Sequence, residues 1–199
     1  MGETQYDFRS KYTQANFVSR RLLEGYFHNL ATMVAPLEVS SAVELGCGEG
    51  FSTSRIRGVL GDHVSFEASD VEERLVAAAR EANPGIPIRQ ESIYALPRPD
   101  KSVDLAFVLE VLEHLEDPAA AMREACRVSR QWVLTSVPQE PLWCVMNLAR
   151  FKYIGHLGNT PGHIQHWSTR GFRRFIGQFA EVREVRTPLP WTMVLARVK

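Results

Sequence analysis

The sequence predicts an α/β fold built on a doubly wound, mostly parallel sheet that ends in an antiparallel hairpin. Three observations carry this prediction. Short apolar segments alternate with helical patterns along residues 41–137, as in sheets covered by helices on both faces. Residues 103–109 are apolar nearly throughout, which is typical of a central parallel strand. Only residues 187–191 separate the last two strands, too few for a parallel crossover.

The individual elements follow from apolar spacing and from helix end signals. Apolar residues recur at helical spacing over 17–34, and Pro36 ends that pattern. Asp117 is placed to cap a helix that has Pro118 in its first turn. Further helices are predicted after the first strand, over 72–82 and around Phe172 to Phe179. The seven predicted strands cover 41–45, 64–68, 86–89, 103–109, 132–137, 181–186 and 192–198.

Residues 138–167 interrupt this alternation and are too long for a plain loop in a compact domain. They follow the C-terminal end of a strand, the edge where such sheets bind ligands. We therefore expect 138–167 to be a lid or substrate cap. The whole chain, 1–199, is interpreted as a single domain, with 1–36 as an N-terminal helical cap.

Composition excludes several other classes. Lys plus Arg and Asp plus Glu number 23 each, so no net field attracts nucleic acid. The three cysteines form no Cys-x-x-Cys pair, which favours reduced thiols in a cytoplasmic protein. No uninterrupted apolar run approaches the roughly 18 residues that a membrane span needs. We expect a cytoplasmic monomer or weak homodimer without an integral membrane segment.

A glycine-rich loop follows the first strand: Gly46, Gly48 and Gly50 alternate in Glu-Leu-Gly-Cys-Gly-Glu-Gly. Glycines there allow a tight turn and close approach of a ligand. A dinucleotide fingerprint would need Gly or Ala where this chain has Phe51. Glu44 and Glu49 would also repel a pyrophosphate, so a cationic ligand suits the loop better. A simple tight turn remains the structural alternative.

This loop resembles motif I of the class I S-adenosylmethionine-dependent methyltransferases, of the type 11-like group. The resemblance runs from about residue 11 to residue 198 and implies a Rossmann-like seven-stranded sheet with S-adenosyl-L-methionine as cofactor. It implies that Gly46, Gly48 and Gly50 run beneath the methionine and ribose, with Glu44 near the amino group.

Further cofactor contacts are expected at the ends of later strands. Asp70 lies 20 residues after Gly50, where a carboxylate can accept both ribose hydroxyls; alternatively, Asp70 and Glu73 form a capping pair for the next helix. The resemblance implies an adenine contact at Ser92, a backbone contact at Ile93, and Leu109 lining the pocket. Many relatives carry aspartate at the position of Ser92, whose hydroxyl bonds without charge assistance.

The candidate catalytic residues lie just beyond the fourth predicted strand. Methyl transfer from a sulfonium needs a base only if the acceptor must lose a proton. Glu113 and His114 are our catalytic candidates, with His114 as a base or positioning group. Ubiquinone-type O-methyltransferases have a similar Glu-x-x-Glu-His, so Glu110, Glu113 and His114 could instead hold a divalent cation. We favour no metal.

The histidines of the predicted lid form a second, weaker candidate. His163 and His166 could be bases or metal ligands. The preferred interpretation is that Ser168 caps the next helix while His166 and Trp167 pack the lid, which leaves His163 as a candidate for the acceptor site.

The sequence thus predicts a methyltransferase, a transferase that methylates a small molecule at oxygen, or at carbon or nitrogen. Two alternatives stay open: a nicotinamide-dependent oxidoreductase on a similar sheet, and a non-catalytic module that only binds the cofactor.

Overall fold

A computed structural model describes residues 17–149 and 154–199. Residues 1–16 of the predicted N-terminal cap and residues 150–153 of the predicted lid lie outside this description. In the described part, no helix is both long and apolar enough to cross a bilayer.

Seven strands form one sheet in the order β3-β2-β1-β4-β5-β7-β6. The first five are parallel, and β7 pairs antiparallel with both β5 and β6. The prediction of a mostly parallel sheet that ends in an antiparallel hairpin is therefore confirmed. The strands are β1 (Ser41–Leu45), β2 (Ser65–Asp70), β3 (Ile88–Gln90), β4 (Val103–Leu109), β5 (Ser129–Pro138), β6 (Ala180–Arg186) and β7 (Trp191–Val198).

The helices cover both faces of this sheet, because parallel strands need crossover connections. Asp117 accepts the N–H of Ala120 at 2.9 Å and so caps α4 as predicted, with Pro118 at the helix start. The helices are α1 (Phe17–Val34), α2 (Phe51–Leu60), α3 (Glu73–Ala82), α4 (Pro118–Val128), α5 (Leu142–Ala149) and α6 (Thr169–Ile176). Short 3-10 turns cover Leu112–His114 and Ile154–His156.

The central strand β4 divides the core into two layers. All seven of its residues are buried. Leu105 and Phe107 pack on one face with α1 and α2, while Ala106 and Val108 pack on the other with α4 and α6. Successive side chains of a strand point to opposite faces, so one continuous apolar run supplies both layers. This rigid centre fixes the loops at the carboxyl ends of the strands.

A buried carboxylate, Asp104, lies near the amino-terminal ends of the parallel strands. It accepts hydrogen bonds from the backbone and hydroxyl groups of Ser40 and Ser41, and pairs with Arg130. Burial raises the pKa of Asp104, but these hydrogen bonds outweigh burial and hold its pKa well below the usual range. The start of β1 is thereby tied to the start of β4.

The predicted lid segment folds back on itself. It contains α5 and returns to the sheet so that Gln139 pairs with Trp167, and the N–H of Glu140 donates to the carbonyl of Trp167 at 3.0 Å. Trp167 packs against Phe172 and Phe175 of α6, and the Ser168 hydroxyl caps that helix. The expected structural roles of Trp167 and Ser168 are therefore seen in the structure.

Candidate functional site

The expected cofactor residues meet along one edge of the sheet. Strands β3, β2, β1 and β4 are consecutive neighbours and run parallel, so their carboxyl ends lie side by side. The connections from β1 and β4 leave this edge in opposite directions, which is where ligands bind in open α/β sheets. The predicted contacts lie at these four ends: Gly46, Gly48 and Gly50 after β1, Asp70 at the end of β2, Ser92 and Ile93 after β3, and Leu109 at the end of β4.

The three glycines of the loop serve different purposes. Their φ angles are 80°, 55° and 79° for Gly46, Gly48 and Gly50, a region that favours glycine. A Cβ on Gly46 would come within 2.5 Å of Val111, and one on Gly50 within 2.3 Å of Asn83. A Cβ on Gly48 would meet nothing within 4 Å. Protein packing therefore requires two of the glycines, whereas Gly48 borders open space that a ligand can fill.

The backbone donors of this loop are largely used within the protein. The N–H groups of Gly46 and Cys47 donate to the carbonyl of Ser69 at 2.7 and 2.9 Å. The N–H of Gly48 donates to Asp70 at 2.8 Å, and that of Gly50 to the carbonyl of Cys47 at 3.0 Å. A pyrophosphate site depends on backbone N–H groups that point at the ligand. These four are engaged elsewhere, which favours a cationic ligand over a dinucleotide.

Glu44, at the penultimate position of β1, lies beneath the loop and is 1% exposed. Its carboxylate accepts hydrogen bonds from the hydroxyls of Ser52 and Thr53 in the first turn of α2, the latter at 2.6 Å. The pKa of Glu44 is raised to about 7: burial raises it most, the hydroxyls of Ser52 and Thr53 lower it, and the charge of Asp70 raises it. The structure therefore shows Glu44 joining β1 to α2; its predicted contact with the amino group stays a prediction.

Asp70 shapes the loop. One carboxylate oxygen accepts the N–H of Gly48 and the other accepts the N–H of Glu72 at 3.0 Å. The side chain of Glu72, the residue that caps α3, makes no capping hydrogen bond. The capping pair of Asp70 with Glu73 is thus not formed, since α3 begins only at Glu73. Each carboxylate oxygen keeps a second acceptor position for a hydroxyl group.

The other expected cofactor contacts are partly accessible. Ser92 is half-buried, and its hydroxyl accepts the N–H of Tyr94 at 3.3 Å. Ile93 is also half-buried and packs against the core layer on the α4 side. Leu109 is 6% exposed and belongs to the layer on the α1 side. These positions fit a ligand that lies along the strand ends from β3 towards β4.

The loop after β4 brings three chemically active side chains together. Glu113 is buried and His114 is exposed in the 3-10 turn, and His163 approaches from the lid. The two imidazole rings meet edge to face with centroids 4.8 Å apart. One ligand atom from each of the three residues lies within 4.8 Å of the others. The catalytic candidates Glu113 and His114 therefore share a site with His163.

Glu110 faces a different set of partners. Its φ of 56° is unusual for a residue other than glycine. Its carboxylate accepts the hydroxyl of Ser136 at 2.9 Å and the indole N–H of Trp191 at 2.7 Å. The Tyr26 hydroxyl is 2.7 Å from that of Ser136. Glu110 thus ties β4, β5, β7 and α1 together instead of joining Glu113 and His114.

The predicted lid segment is held directly against the 3-10 turn that carries Glu113 and His114. The backbone N–H groups of Ile164 and Gln165 donate to the carbonyl of Glu113 at 2.9 and 3.1 Å. The side-chain amide of Gln165 donates to the carbonyl of Leu115 at 3.2 Å. These contacts join the segment to the loop after β4, and His163 lies against His114.

Sequence patterns did not indicate the partners of Glu110. Trp191 lies at the end of the hairpin connection, where Pro188 and Pro190 predict only a turn. Tyr26 lies on the buried face of α1, and no pattern in the sequence marks the side of β5 on which Ser136 lies. The contact requires four elements to be assembled, so no local signal in the sequence contains it.

With this geometry in place, comparison with known proteins decides the family. Residues 43–132 match the model of a family described as "Methyltransferase domain". This matched region is a methyltransferase domain. It contains every predicted cofactor residue, from Glu44 to Leu109, and both catalytic candidates.

The curated relatives of this domain include proteins that are named as methyltransferases. A "Probable S-adenosylmethionine-dependent methyltransferase" of Mycobacterium tuberculosis is 39% identical over 88 residues, which are 44% of this chain and 31% of that protein. A "Ubiquinone biosynthesis O-methyltransferase" of Methylobacterium nodulans is 30% identical over 93 residues, 46% of this chain and 37% of that protein. The chain thus spans about a third of the length of the curated relatives it matches.

Solved structures share the fold at low sequence identity. The PH0226 protein from Pyrococcus horikoshii aligns with a TM-score of 0.73 at 14% identity, covering 96% of each chain. Magnesium protoporphyrin IX methyltransferase from Synechocystis with bound S-adenosylhomocysteine aligns with a TM-score of 0.65 at 18% identity, covering 93% of this chain and 89% of that one. These structures confirm the predicted fold. Over residues 43–132, the family match and the curated relatives agree with the predicted family, enzyme class and cofactor S-adenosyl-L-methionine.

Proposed function

We propose that this protein transfers a methyl group from S-adenosylmethionine to a small-molecule acceptor, with a hydroxyl oxygen as the preferred acceptor atom. The observation that carries this proposal is the glycine loop: its N–H donors are engaged within the protein, and the carboxyl groups of Glu44 and Asp70 lie beside it. Such a surface suits a ligand with a sulfonium and an ammonium. The match of residues 43–132 to a methyltransferase domain supports the same ligand.

The same observation disfavours the nicotinamide alternative. A dinucleotide would bring a doubly charged pyrophosphate to a loop in which four backbone N–H groups already donate hydrogen bonds within the protein. Phe51 also occupies the position where the dinucleotide fingerprint needs a small residue. A module that binds the cofactor without catalysis remains the competing proposal, and a transfer assay separates it from an enzyme.

His114 is the side chain best placed to take a proton from the acceptor. Its Nδ1 lies 2.9 Å from the carbonyl oxygen of Gly162. A carbonyl only accepts hydrogen bonds, so Nδ1 carries the proton and Nε2 of the neutral ring is left as the base. The exposed position of His114 leaves this nitrogen accessible to an acceptor. Glu113, buried beside it, would stabilise the imidazolium that forms.

The proposed step balances as an in-line displacement. The cofactor supplies a methyl group on a positively charged sulfur, which is a good leaving group. The acceptor oxygen forms a bond to the methyl carbon while the carbon–sulfur bond breaks, and its electron pair stays on sulfur. The hydroxyl proton passes to Nε2 of His114. The products are a methyl ether and S-adenosylhomocysteine.

Oxygen is preferred over carbon or nitrogen for two reasons. A hydroxyl acceptor must lose a proton as it is methylated, and His114 is a candidate base at the carboxyl edge of the sheet. The ubiquinone-type relative named above is an O-methyltransferase, which supports the same choice. The half-buried rings of Trp143 and Trp191, with centroids 6.0 Å apart near His163, add aromatic surface that suits a ring-bearing acceptor.

The thiols and the charge support a proposal for the setting of this reaction. All three cysteines are free, which supports a reducing compartment such as the cytoplasm. Equal numbers of acidic and basic residues support a small molecule rather than nucleic acid as partner. We propose a monomer or weak homodimer.

Cofactor binding is tested by titrating the purified protein with S-adenosylhomocysteine and, separately, with NADH. A ligand at about a hundredfold excess over its dissociation constant adds roughly 2.7 kcal/mol of stability. We therefore expect S-adenosylhomocysteine to raise the melting temperature by about 5 °C or more, and NADH to leave it unchanged. A shift with NADH alone would reverse the assignment.

The transfer itself is tested with a labelled methyl donor and a cell extract as the source of acceptor. Transfer of label to a small molecule is expected for the wild type. His114→Ala should keep the affinity for S-adenosylhomocysteine and lose most of the transfer. Full cofactor binding by the wild type without any labelled product would favour the non-catalytic module.

A further inference from the structure

The side-chain cluster that joins the lid to the sheet has the composition of a transition-metal site. Glu113, His114 and His163 offer one carboxylate oxygen and two imidazole nitrogens, all within 4.8 Å of one another. We propose that these three residues bind a divalent transition-metal ion of the Zn²⁺ type, held between the loop after β4 and the lid. Two histidines and one carboxylate are a common three-residue ligand set for such ions.

His114 is already oriented as a metal ligand. A ligating histidine almost always donates its second ring N–H to a carbonyl or carboxylate, which fixes the tautomer and the ring orientation. The contact of Nδ1 with the carbonyl of Gly162 provides this support, so Nε2 is the nitrogen that would bind the ion. The supporting carbonyl belongs to the residue before His163, so one lid turn orients both imidazoles.

His163 is equally well held. Its side chain is 8% exposed, and the ring stacks on Trp143 with an interplanar angle of 29°. Its backbone N–H donates to the carbonyl of Thr160 at 3.0 Å, and its backbone carbonyl accepts the side-chain amide of Asn159 at 3.2 Å. Trp143 is fixed in turn by a 2.9 Å hydrogen bond from its indole to the Thr160 hydroxyl. This degree of order suits a site with defined geometry.

The buried carboxylate gives an electrostatic reason for a cation. Glu113 is 1% exposed, and the attraction between opposite charges is stronger in such a buried setting than in water. A divalent ion beside Glu113 would therefore be held firmly by its carboxylate. The two lid N–H groups that donate to the Glu113 carbonyl keep the carboxylate and His163 in register.

This ligand set differs from the Glu110, Glu113 and His114 set that the sequence left open. The Glu110 carboxylate accepts hydrogen bonds from Ser136 and Trp191. His163, from the predicted lid segment, lies within 4.8 Å of Glu113 and His114 instead. Replacing a carboxylate by an imidazole shifts the preference from Mg²⁺, which takes oxygen ligands, to ions such as Zn²⁺.

An ion here would also change how the acceptor loses its proton. Three protein ligands leave a fourth position for water or substrate, and the exposed side of His114 gives access to it. Nε2 of His114 would then be a ligand, and a hydroxyl on the ion would release its proton to solvent because the ion lowers its pKa. This consequence rests on the proposed function; the binding of the ion does not.

The test is calorimetric titration of tag-free, EDTA-treated and dialysed protein with Zn²⁺ and with Mg²⁺. We expect one Zn²⁺ per chain and much weaker binding of Mg²⁺. His163→Ala should weaken Zn²⁺ binding by roughly tenfold or more. His166→Ala is the matched control, because His166 is on the same lid segment but interacts with Glu140 at 3.6 Å, and it should bind as the wild type does.

A spectroscopic arm keeps the test independent of variant folding. Co²⁺ added to the wild type should give the visible absorption of a four-coordinate site, and Zn²⁺ should abolish it. Absence of that spectrum, or equal loss of Zn²⁺ binding in His163→Ala and His166→Ala, would overturn the proposal. S-adenosylhomocysteine titrated in EDTA measures the cofactor site alone, so failure of the metal site and failure of the methyltransferase assignment give different results.

Discussion

At the scale of single residues, Asp70 shows how one carboxylate can shape a loop and remain available to a ligand. One of its oxygens accepts a hydrogen bond from the backbone N–H of Gly48, and the other accepts one from the backbone N–H of Glu72. A carboxylate has about four acceptor positions, so two remain for the ribose hydroxyls. The expected ribose contact and the observed loop contacts are therefore compatible.

Asp70→Ala tests this double role. Hydrogen bonds to a charged group contribute roughly 1–3 kcal/mol each, so we expect S-adenosylhomocysteine to bind more weakly by about that amount in calorimetry. Glu73→Ala, an exposed acidic neighbour in the first turn of α3, should leave the affinity unchanged. Unaltered affinity of Asp70→Ala with a lower melting temperature would mean that the residue only shapes the loop.

At the scale of elements, the glycine loop separates packing from binding. Gly46 and Gly50 are fixed by Val111 and Asn83, and Asn83 further donates to the carbonyl of Gly50 at 2.9 Å. Of the three glycines of the loop, only Gly48 borders open space. The alternating pattern in the sequence therefore reflects two different constraints, one from the neighbouring elements and one from the ligand.

A matched pair of variants separates these constraints. Gly50→Ala should lower the stability by more than about 1 kcal/mol, because the new methyl group clashes with Asn83 as well as straining the backbone. Gly48→Ala should cost only the backbone strain, about 1 kcal/mol, but should markedly weaken binding of S-adenosylhomocysteine. Denaturant unfolding and calorimetry measure the two effects. Equal loss of affinity in both variants would contradict the distinction.

The elements also show what local patterns can and cannot predict. Residues 41–45 and 103–109 were predicted with their observed bounds, because apolar runs between turn signals are local features. Strand β5 begins at Ser129 rather than at residue 132, since its first residue pairs with Val103 of β4. The approach of His163 to His114 depends on how the lid returns to the sheet, which no spacing in the sequence encodes.

At the scale of the whole molecule, buried carboxyl groups lie at both ends of the parallel strands. Asp104 lies near the start of β4, and Glu44 lies near the carboxyl end of β1. Asp104 has a lowered pKa, so its contribution is present at neutral pH and is lost only in strong acid. Glu44, at the carboxyl edge, has its pKa raised from 4.5 to about 7. The folded protein therefore binds more protons than the unfolded chain between these values, and Glu44 makes stability fall as pH rises through that window.

Glu44→Gln should remove this pH dependence. Ser52 and Thr53 can each donate or accept, so glutamine keeps both partners without charge. We expect the free energy of unfolding of the wild type to fall by roughly 3 kcal/mol relative to Glu44→Gln between pH 4.5 and 7. Denaturant unfolding at several pH values measures it, and Glu73→Gln should follow the wild type. Parallel curves for Glu44→Gln and the wild type would show that Glu44 is not the group responsible.

The pairing of Gln139 with Trp167 limits how changes in the segment between them can reach the sheet. Because the two ends of that segment meet at adjacent backbone positions, an insertion remote from residues 162–165 should leave the register of the strands unchanged. Residues 162–165 themselves are constrained, since their backbone contacts Glu113 and His114.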